Sequence, residues 1–329
     1  MAVTLKEVAE RAGVSRSAVS RTYTDGASVS PKTRKKVEKA AKELGYSPNA
    51  LASSLTTGRT KLIGLISNNF HNPLFLEVFD LFTRRLQEKG LRPLLVNLTD
   101  ETDPENSLRM LKQYSVDGVI VASSTLSPEF AKAFHDAKIP VVHSFGRFAP
   151  DVHVVGVDNV ECGRMAARTL LARGYKHIGF LGGPKGATST IDRRAGFMEV
   201  MGQAKGIKVK ESNAAAYSFE AGRTAMLKEL KGTHAEAYFC GDDVMSIGAL
   251  SAISSSGLSA PTDIGIIGLN DMEMAKWENI DLTTIRQPIK QIVDSSVELV
   301  MAALEDSNRH PEARLFSCQV IERGTLRPL

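Results

Sequence analysis

Apolar residues recur along this chain with two periods, and the switch between them divides it. Over the first sixty residues the spacing is helical. Thr4 and Glu7 form a capping box that starts a helix at Leu5, whose face carries Leu5, Val8 and Ala9, and Gly13 after Ala12 offers a left-handed end. Ser15 caps a second short helix, Arg16 to Tyr23, with Ala18, Val19 and Thr22 inward and Arg16, Ser17, Ser20 and Arg21 outward. Ser30 and Pro31 open a third, which carries Thr33, Val37, Ala40 and Ala41 and stops at Gly45 after Leu44. Residues 47–60 keep helical spacing for barely two turns, too few to hold a helix in isolation. Pro48 and Asn49 can start one, Ala52 and the serines would let a second copy approach, and Leu55 sits at the tip; a flexible linker is the alternative.

From residue 62 onward short apolar runs alternate with amphipathic stretches. Strands are predicted at 62–67, 93–98, 118–122, 140–143, 177–181, 237–240 and 264–269. Helices are predicted at 74–89, 104–114, 160–173, 219–230, 243–256 and 289–304. This βαβ alternation is the mark of parallel sheets covered on both faces. The strands outnumber one such sheet, and a break falls near Val157 to Asn159, so two doubly wound lobes are expected. Ligands of such folds bind at the carboxyl ends of the strands, which places a site in the cleft between lobes.

Charge sharpens this division. Residues 1–61 hold 12 Lys and Arg against 5 Asp and Glu, whereas residues 62–329 hold 29 against 32. A basic module of net +7 on a body of net −3 fits phosphate binding, although a solvated lysine-rich face has the same signature. Two short helices joined at Gly13 and crossed by a third form a helix-turn-helix pattern, in which the second helix enters the major groove. Arg16 and Arg21 can fork onto guanine edges or phosphates, and Ser17 and Ser20 are short enough to let the backbone approach. Thr4, Ser15 and Thr33 lie at or near helix starts, where hydroxyls and amides hold phosphate oxygens.

The residues then match a known pattern. Thr4 to Ala9, Gly13-Val14-Ser15, Val19-Ser20-Arg21, Val29 to Arg34, Leu44 to Asn49 and Ala52 to Leu55 closely resemble the lactose and galactose repressor (LacI/GalR) family of bacterial regulators. The resemblance implies a helix-turn-helix DNA-binding domain at 1–46, a hinge helix at 47–60 and a two-lobed effector-binding and dimerisation domain at 61–329, similar to type I periplasmic binding proteins. It implies that the hinge folds on the operator, with Leu55 wedged into the minor groove and Asn49 beside the DNA. Ser53 departs from the arginine common there. Further matches at Val157 to Asn159, Gly174 to Gly179, Gly182 to Pro184, Arg193 to Phe197, Asp242-Asp243, Gly248 to Leu250, Ile267 to Asp271 and Leu282 to Ile285 carry the resemblance to about Gly324.

The family pattern places effector contacts on Asn68 and Phe75 from one lobe and on Ser189, Arg193, Tyr217, Asp242 and Asn270 from the other. Paired arginine donors, carboxylate and amide acceptors and two aromatic faces suit a polyhydroxylated ligand, so a carbohydrate or sugar derivative is the expected effector. Position 270 is aspartate in many relatives, so Asn270 changes the hydrogen-bond balance. The residues alone leave open that Arg193 pairs with Asp192 or Glu199, that Asp242 merely caps the helix starting at Asp243, and that Phe75 and Tyr217 are core aromatics.

No catalytic constellation, cofactor or metal site is indicated. Gly182 to Gly186 lacks a dinucleotide or phosphate-loop spacing, the seven histidines make no i, i+4 pair, and Cys162, Cys240 and Cys318 stand far apart in sequence. No stretch of 18 apolar residues occurs, and Lys6, Glu7 and Glu10 oppose a signal peptide, so a cytoplasmic protein without membrane contact is expected. The functional expectation is a repressor that binds a palindromic operator as a homodimer. The run from Arg323 to Leu329 adds no leucine heptad that would imply a tetramer. A stand-alone solute-binding protein and a sugar- or nucleotide-acting α/β enzyme are the other readings.

Overall fold

The computed structural model describes residues 3–24, 26–48, 54, 58–98, 104–306 and 308–329. Two compact units emerge, Met1–Lys61 and Leu62–Leu329. Asn49 and Leu55 lie outside the described residues.

The first unit holds α1 (Leu5–Ala12), α2 (Arg16–Thr22) and α3 (Pro31–Leu44). Each begins on a hydroxyl that accepts a backbone amide of its first turn: Thr4 from Glu7, Ser15 from Ala18 and Ser30 from Thr33. The Thr4–Glu7 capping box is formed in both directions. Val8, Ala9, Val19, Val37, Ala40 and Ala41 make the small core, and Leu5 and Ala12 pack against it. Arg34 Nη1 donates to Thr22 O at 2.7 Å, and Arg11 pairs with Glu43 at 2.6 Å, so α3 is tied to both shorter helices.

The second unit contains two six-stranded sheets. One runs in the order β11-β5-β4-β3-β1-β2, the other in the order β12-β10-β9-β8-β6-β7. The first lobe's strands are β1 (Leu62–Ser67), β2 (Arg92–Asn97), β3 (Gly118–Ala122), β4 (Val141–Ser144), β5 (His153–Val157) and β11 (Ala313–Phe316). The second lobe has β6 (His177–Gly182), β7 (Lys208–Asn213), β8 (Ala237–Cys240), β9 (Gly265–Asn270), β10 (Thr284–Arg286) and β12 (Gln319–Ile321). Every pairing is parallel except that of β10 with β12.

Parallel neighbours require crossovers, and these are α4 (Leu74–Glu88), α5 (Pro104–Gln113) and α6 (Pro128–Asp136) in the first lobe. The second lobe uses α8 (Thr188–Gln203), α9 (Phe219–Leu230) and α10 (Asp243–Ser255), with α7 (Asn159–Ala172) packed on α8. Helix α11 (Ile289–Glu305) follows β10 but packs on α4 and on β3, β4 and β5 of the first lobe. The chain therefore passes between lobes three times, at 157–159, 286–289 and 316–319.

The expected alternation is present, with five further strands and two further helices. β5, β7, β10, β11, β12, α6 and α8 are additional to the segments that the pattern predicts. β10 and β12 have three residues each and β7 reads Lys-Val-Lys-Glu-Ser-Asn at a sheet edge, so neither length nor alternation marks them. Helix α8 buries Ser189, Thr190 and Arg193 together with Phe197 and Met201, which erases the polar–apolar contrast that periodicity detects.

Candidate functional site

In the first unit, Arg16, Ser17 and Arg21 are exposed along one side of α2, and Ser20 beside them is partly buried. Thr4 and Ser15 are exposed at the starts of α1 and α2, and Thr33 is half-buried in the first turn of α3. Their hydroxyls are already occupied: Thr4 with Glu7, Ser15 with Ser17 at 2.9 Å and Thr33 with Ser30 at 2.9 Å. The Thr4 and Thr33 backbone amides are engaged as well, donating to Glu7 Oε2 at 2.7 Å and to Ser30 Oγ at 3.2 Å, so helix capping uses most of the polar groups at these starts.

In each sheet of the second unit the strand order reverses beside the lobe's first strand, and loops diverge at that switch point. Asn68 and Asn69 leave β1 and Ser123 leaves β3, while Gly183 leaves β6 and Gly241-Asp242 leaves β8. These loops meet around a narrow cavity lined by Asn72, Phe75, Phe145, Asn159, Arg193, Tyr217, Asp242, Asn270 and Gln287, among others. Its volume is about 20 Å³, room for roughly one water. A wider mouth of about 570 Å³ adjoins it, bounded by Asn68, His71, Thr125 and Pro184, and shares Asn69, Asn72 and Tyr217 with the cavity.

Asp242 is the hub. Its Oδ1 accepts the Val244 amide at 2.8 Å, and its Oδ2 accepts Asn72 Nδ2 at 3.0 Å and Asn270 Nδ2 at 2.8 Å. It therefore both caps α10 and faces the cavity, so the capping role does not take it away from the cavity wall. Burial raises its carboxyl above the usual range, and the Val244 amide, the Arg193 charge and the two amides act against that rise. Gln287 Nε2 donates to Asn270 Oδ1 at 2.6 Å, extending the chain of bonds to the second lobe crossing.

Arg193 is 4% exposed and pairs with neither Asp192 nor Glu199. Its Nη1 donates to Gly241 O at 2.6 Å and its Nε to Asn159 Oδ1 at 2.8 Å. Asp192 instead pairs with Arg147 and Glu199 with Arg164. Tyr217 lies over Gly183, where an added Cβ would come within 2.4 Å of the ring, so only glycine admits this approach. Its hydroxyl meets Ser189 at 3.0 Å and Thr190 at 2.7 Å. Phe75 is buried in the first lobe's core and also reaches the cavity wall, its ring centroid 6.0 Å from that of Phe145.

Five of the seven expected effector residues thus converge: Phe75, Arg193, Tyr217, Asp242 and Asn270. Asn68 stands at the mouth, where its Oδ1 accepts the hydroxyls of Ser123 at 2.8 Å and Thr125 at 3.0 Å. Ser189 is 1% exposed and lines neither space; it supports Tyr217 from behind. Sequence reasoning missed Asn72, Phe145, Asn159 and Gln287 as wall residues. Backbone strain was the signal that could be seen only in three dimensions: Phe145 at φ 63° and Asn270 at φ 132° hold angles that favour glycine, one in each lobe, both on the wall.

The lobes are joined directly across this site. Asn72 bonds Asp242, Thr188 Oγ1 donates to Ser124 O at 3.2 Å, and Arg147 pairs with Asp192. Among the described residues no cluster of His, Cys, Asp and Glu fits a metal ion, and no helix is long and apolar enough to cross a membrane. The cavity can exchange its internal amide–carboxylate bonds for those of a ligand rich in hydroxyls or amides.

Comparison with known proteins gives a consistent picture. Residues 4–49 match the family of bacterial regulatory proteins of the lacI type, and residues 167–326 match a periplasmic binding protein-like domain. The chain is 35% identical over 330 residues to the HTH-type transcriptional repressor PurR of Escherichia coli O139:H28, covering 98% of this chain and 96% of that one. A crystal structure of the lac repressor dimer bound to operator and the anti-inducer ONPF is similar at a TM-score of 0.87 and 27% identity, over 99% of this chain and 100% of that one. A complex of the transcriptional regulator CelR with cellobiose is similar at a TM-score of 0.71 and 26% identity, over 98% and 99% of the two chains.

Proposed function

Because the chain belongs to the lacI family of bacterial regulatory proteins, whose members similar to it are repressors and not enzymes, we propose that it represses transcription as a homodimer on a palindromic operator and responds to a sugar or sugar derivative. The cavity wall carries the effector part of this reading. Asp242, Asn270, Asn72 and Arg193 bring carboxylate, amide and guanidinium groups to the wall, and Phe75, Phe145 and Tyr217 bring aromatic rings suited to the apolar side of a pyranose. CelR, a relative of similar fold, is known in complex with cellobiose. Pockets that bury a small ligand usually measure about 300 Å³ or more. The ligand would enter through the mouth and displace the Asn72–Asp242 bond, which couples occupancy to the spacing of the lobes.

On the DNA side, α2 would read a half-site through Arg16, Ser17, Ser20 and Arg21. Thr4, Ser15 and Thr33 would set the register on phosphates, and Asn49 and Leu55 of the 47–60 hinge would enter the minor groove. The dimer is supported by apolar side chains left in solvent. Leu76 is 76% exposed at a groove of about 460 Å³ that spans both lobes and whose floor includes the buried Leu74 and Met272, and Leu95 of the edge strand β2 is 50% exposed.

Genomic-fragment selection with the purified protein, repeated with pooled sugars and with pooled nucleosides, tests the whole reading. A recovered palindrome whose retention changes with a sugar pool is the expected result. Retention of random fragments under every condition would overturn the operator, and a response to nucleosides alone would replace the carbohydrate.

A further inference from the structure

Two of the three cysteines, 156 positions apart in sequence, meet in space. Cys162 lies in the first turn of α7, just beyond the lobe crossing at 157–159, and Cys318 lies in the crossing at 316–319, between β11 and β12. Their sulfurs are 3.5 Å apart, with the Cys162 thiol directed at Cys318. Cys162 is 1% exposed, whereas Cys318 is half-buried and reachable from solvent. We propose that this pair is a redox site, in which a peroxide converts the two thiols into a reversible disulfide that fastens two of the three lobe crossings to each other.

The chemistry assigns the two sulfurs different roles. The proton offered by Cys162 holds the Cys318 thiol below its ordinary pKa; burial opposes this, and the Arg193 charge assists. Cys162 moves the other way, well upward, because it is the donor and is buried. Cys318, the sulfur that solvent can reach, is thus the one that meets the oxidant, reacting as its thiolate. Its sulfur attacks one peroxide oxygen, the O–O bond breaks, and the departing hydroxide takes a proton to leave as water. Cys318 becomes a sulfenic acid. Cys162 then attacks that sulfur, the S–O bond breaks, and hydroxide leaves with the Cys162 proton as a second water. Two thiols and one peroxide have become one disulfide and two waters. The sulfurs need to close by about 1.5 Å to reach bonding distance, a displacement within reach of side-chain rotation and a small shift of the crossing strand.

Position gives the bond its consequence. The lobes can change their relative setting only by bending at the three crossings, and Asn159 in the first of them already bonds Arg193 at 2.8 Å. Tying 162 to 318 removes freedom from two crossings beside the cavity. The disulfide stands independently of the regulatory reading; its effect on regulation rests on it.

Treating the full-length protein with hydrogen peroxide and mapping peptides by mass spectrometry tests the site. The expected product is one linked peptide pair spanning 162 and 318, lighter by two hydrogens, and restored by dithiothreitol. Cys240, wholly buried in β8 with its thiol pushed up to about 12, serves as the internal reference that stays reduced. Cys162→Ser should leave a dimedone-reactive sulfenic acid at Cys318, and Cys318→Ser should leave position 162 unoxidised. Amide exchange at 157–162 and 316–319 should slow about tenfold in the oxidised wild type and remain unchanged by peroxide in Cys318→Ser. Oxygen addition at Cys318 without the link in the wild type, or equal oxidation of Cys240, would overturn the site. A link formed without slower exchange would overturn its role at the crossings. None of these readouts needs operator or effector, so a failed repressor assignment would be seen separately.

Discussion

His143 and Asp243 are fully buried ionisable groups whose environments push their proton affinities in opposite directions. Burial holds the His143 ring down to about 4; its Nε2 faces Ser123 O at 3.1 Å and its Nδ1 has no hydrogen-bond partner among the described residues. The unfolded chain takes up a proton near pH 6.5 that the folded one refuses until about 4, so this residue removes stability as pH falls through that window, by about 3 kcal/mol in all. Burial pushes Asp243 up to about 7, although the Thr284 hydroxyl and Met272 amide bond its carboxyl. Here the folded state keeps a proton that the unfolded one releases near 3.8, so stability falls as pH rises from about 3.8 to 7, by about 4 kcal/mol. The two slopes oppose each other. Urea unfolding between pH 4 and 7 should show Asp243→Asn losing stability toward acid more steeply than wild type. Adding His143→Gln, which keeps a donor for Ser123 O, should flatten that excess slope. An unchanged slope in the double variant would mean that the imidazole is not held neutral.

Arg193 shows what a single residue carries in this site. Its two hydrogen bonds go to Gly241 and Asn159, so Arg193→Ala should cost about 1–3 kcal/mol of stability as well as the effector response. Operator binding by the folded variant without effector should survive. The measurement is retention of operator DNA against effector concentration, and an unchanged dose response would remove Arg193 from the effector site. The residue was legible in the sequence through family resemblance. Its partners were not, because Asn159 opens α7 and Gly241 directly follows the β8 strand, and only the fold brings these two positions beside it. Asn72 and Gln287 carry no motif, and amides in loops ordinarily face water.

Elements were legible where burial is one-sided. The capped helices of the first unit begin and end at the expected residues to within one position, since Thr4, Ser15 and Ser30 each accept the amide three residues on and Gly13 and Gly45 take left-handed angles. Helix α8 and the edge strand β7 were not legible, the first because polar groups are buried inside it and the second because its alternation is charged. For α2 the one-sided pattern makes a sharp prediction. Arg16→Ala should lose about 1–3 kcal/mol of operator binding at one base position, read as relaxed preference in a binding-site selection. A loss uniform over all sequences, with a shallower salt dependence, would reassign Arg16 to a phosphate. Leu55→Ala should weaken specific binding while sparing nonspecific binding, and equal losses in both would remove the wedge.

At the scale of the whole molecule, the affinity of a two-headed binder comes from its linkage. Two weak half-site contacts become one strong one because the second is made at the high effective concentration set by the first. A surface that holds two copies together therefore matters to operator binding without touching DNA. For the proposed dimer the exposed Leu76 is the apolar side chain to test, and the groove beside it carries Glu77, Asp80 and Glu273. Introducing a further carboxylate there adds charge repulsion and removes apolar area from the contact. If the proposed dimer uses this face, Leu76→Glu should shift it to monomer in sedimentation velocity at micromolar concentration. Because Leu76 points into solvent within one copy, the monomer's own melting should change little. Operator affinity should then fall at least about a hundredfold while binding to an isolated half-site is preserved. A variant that stays dimeric would move the interface to another face. One that turns monomeric yet keeps full operator affinity would show that the copies act separately on DNA.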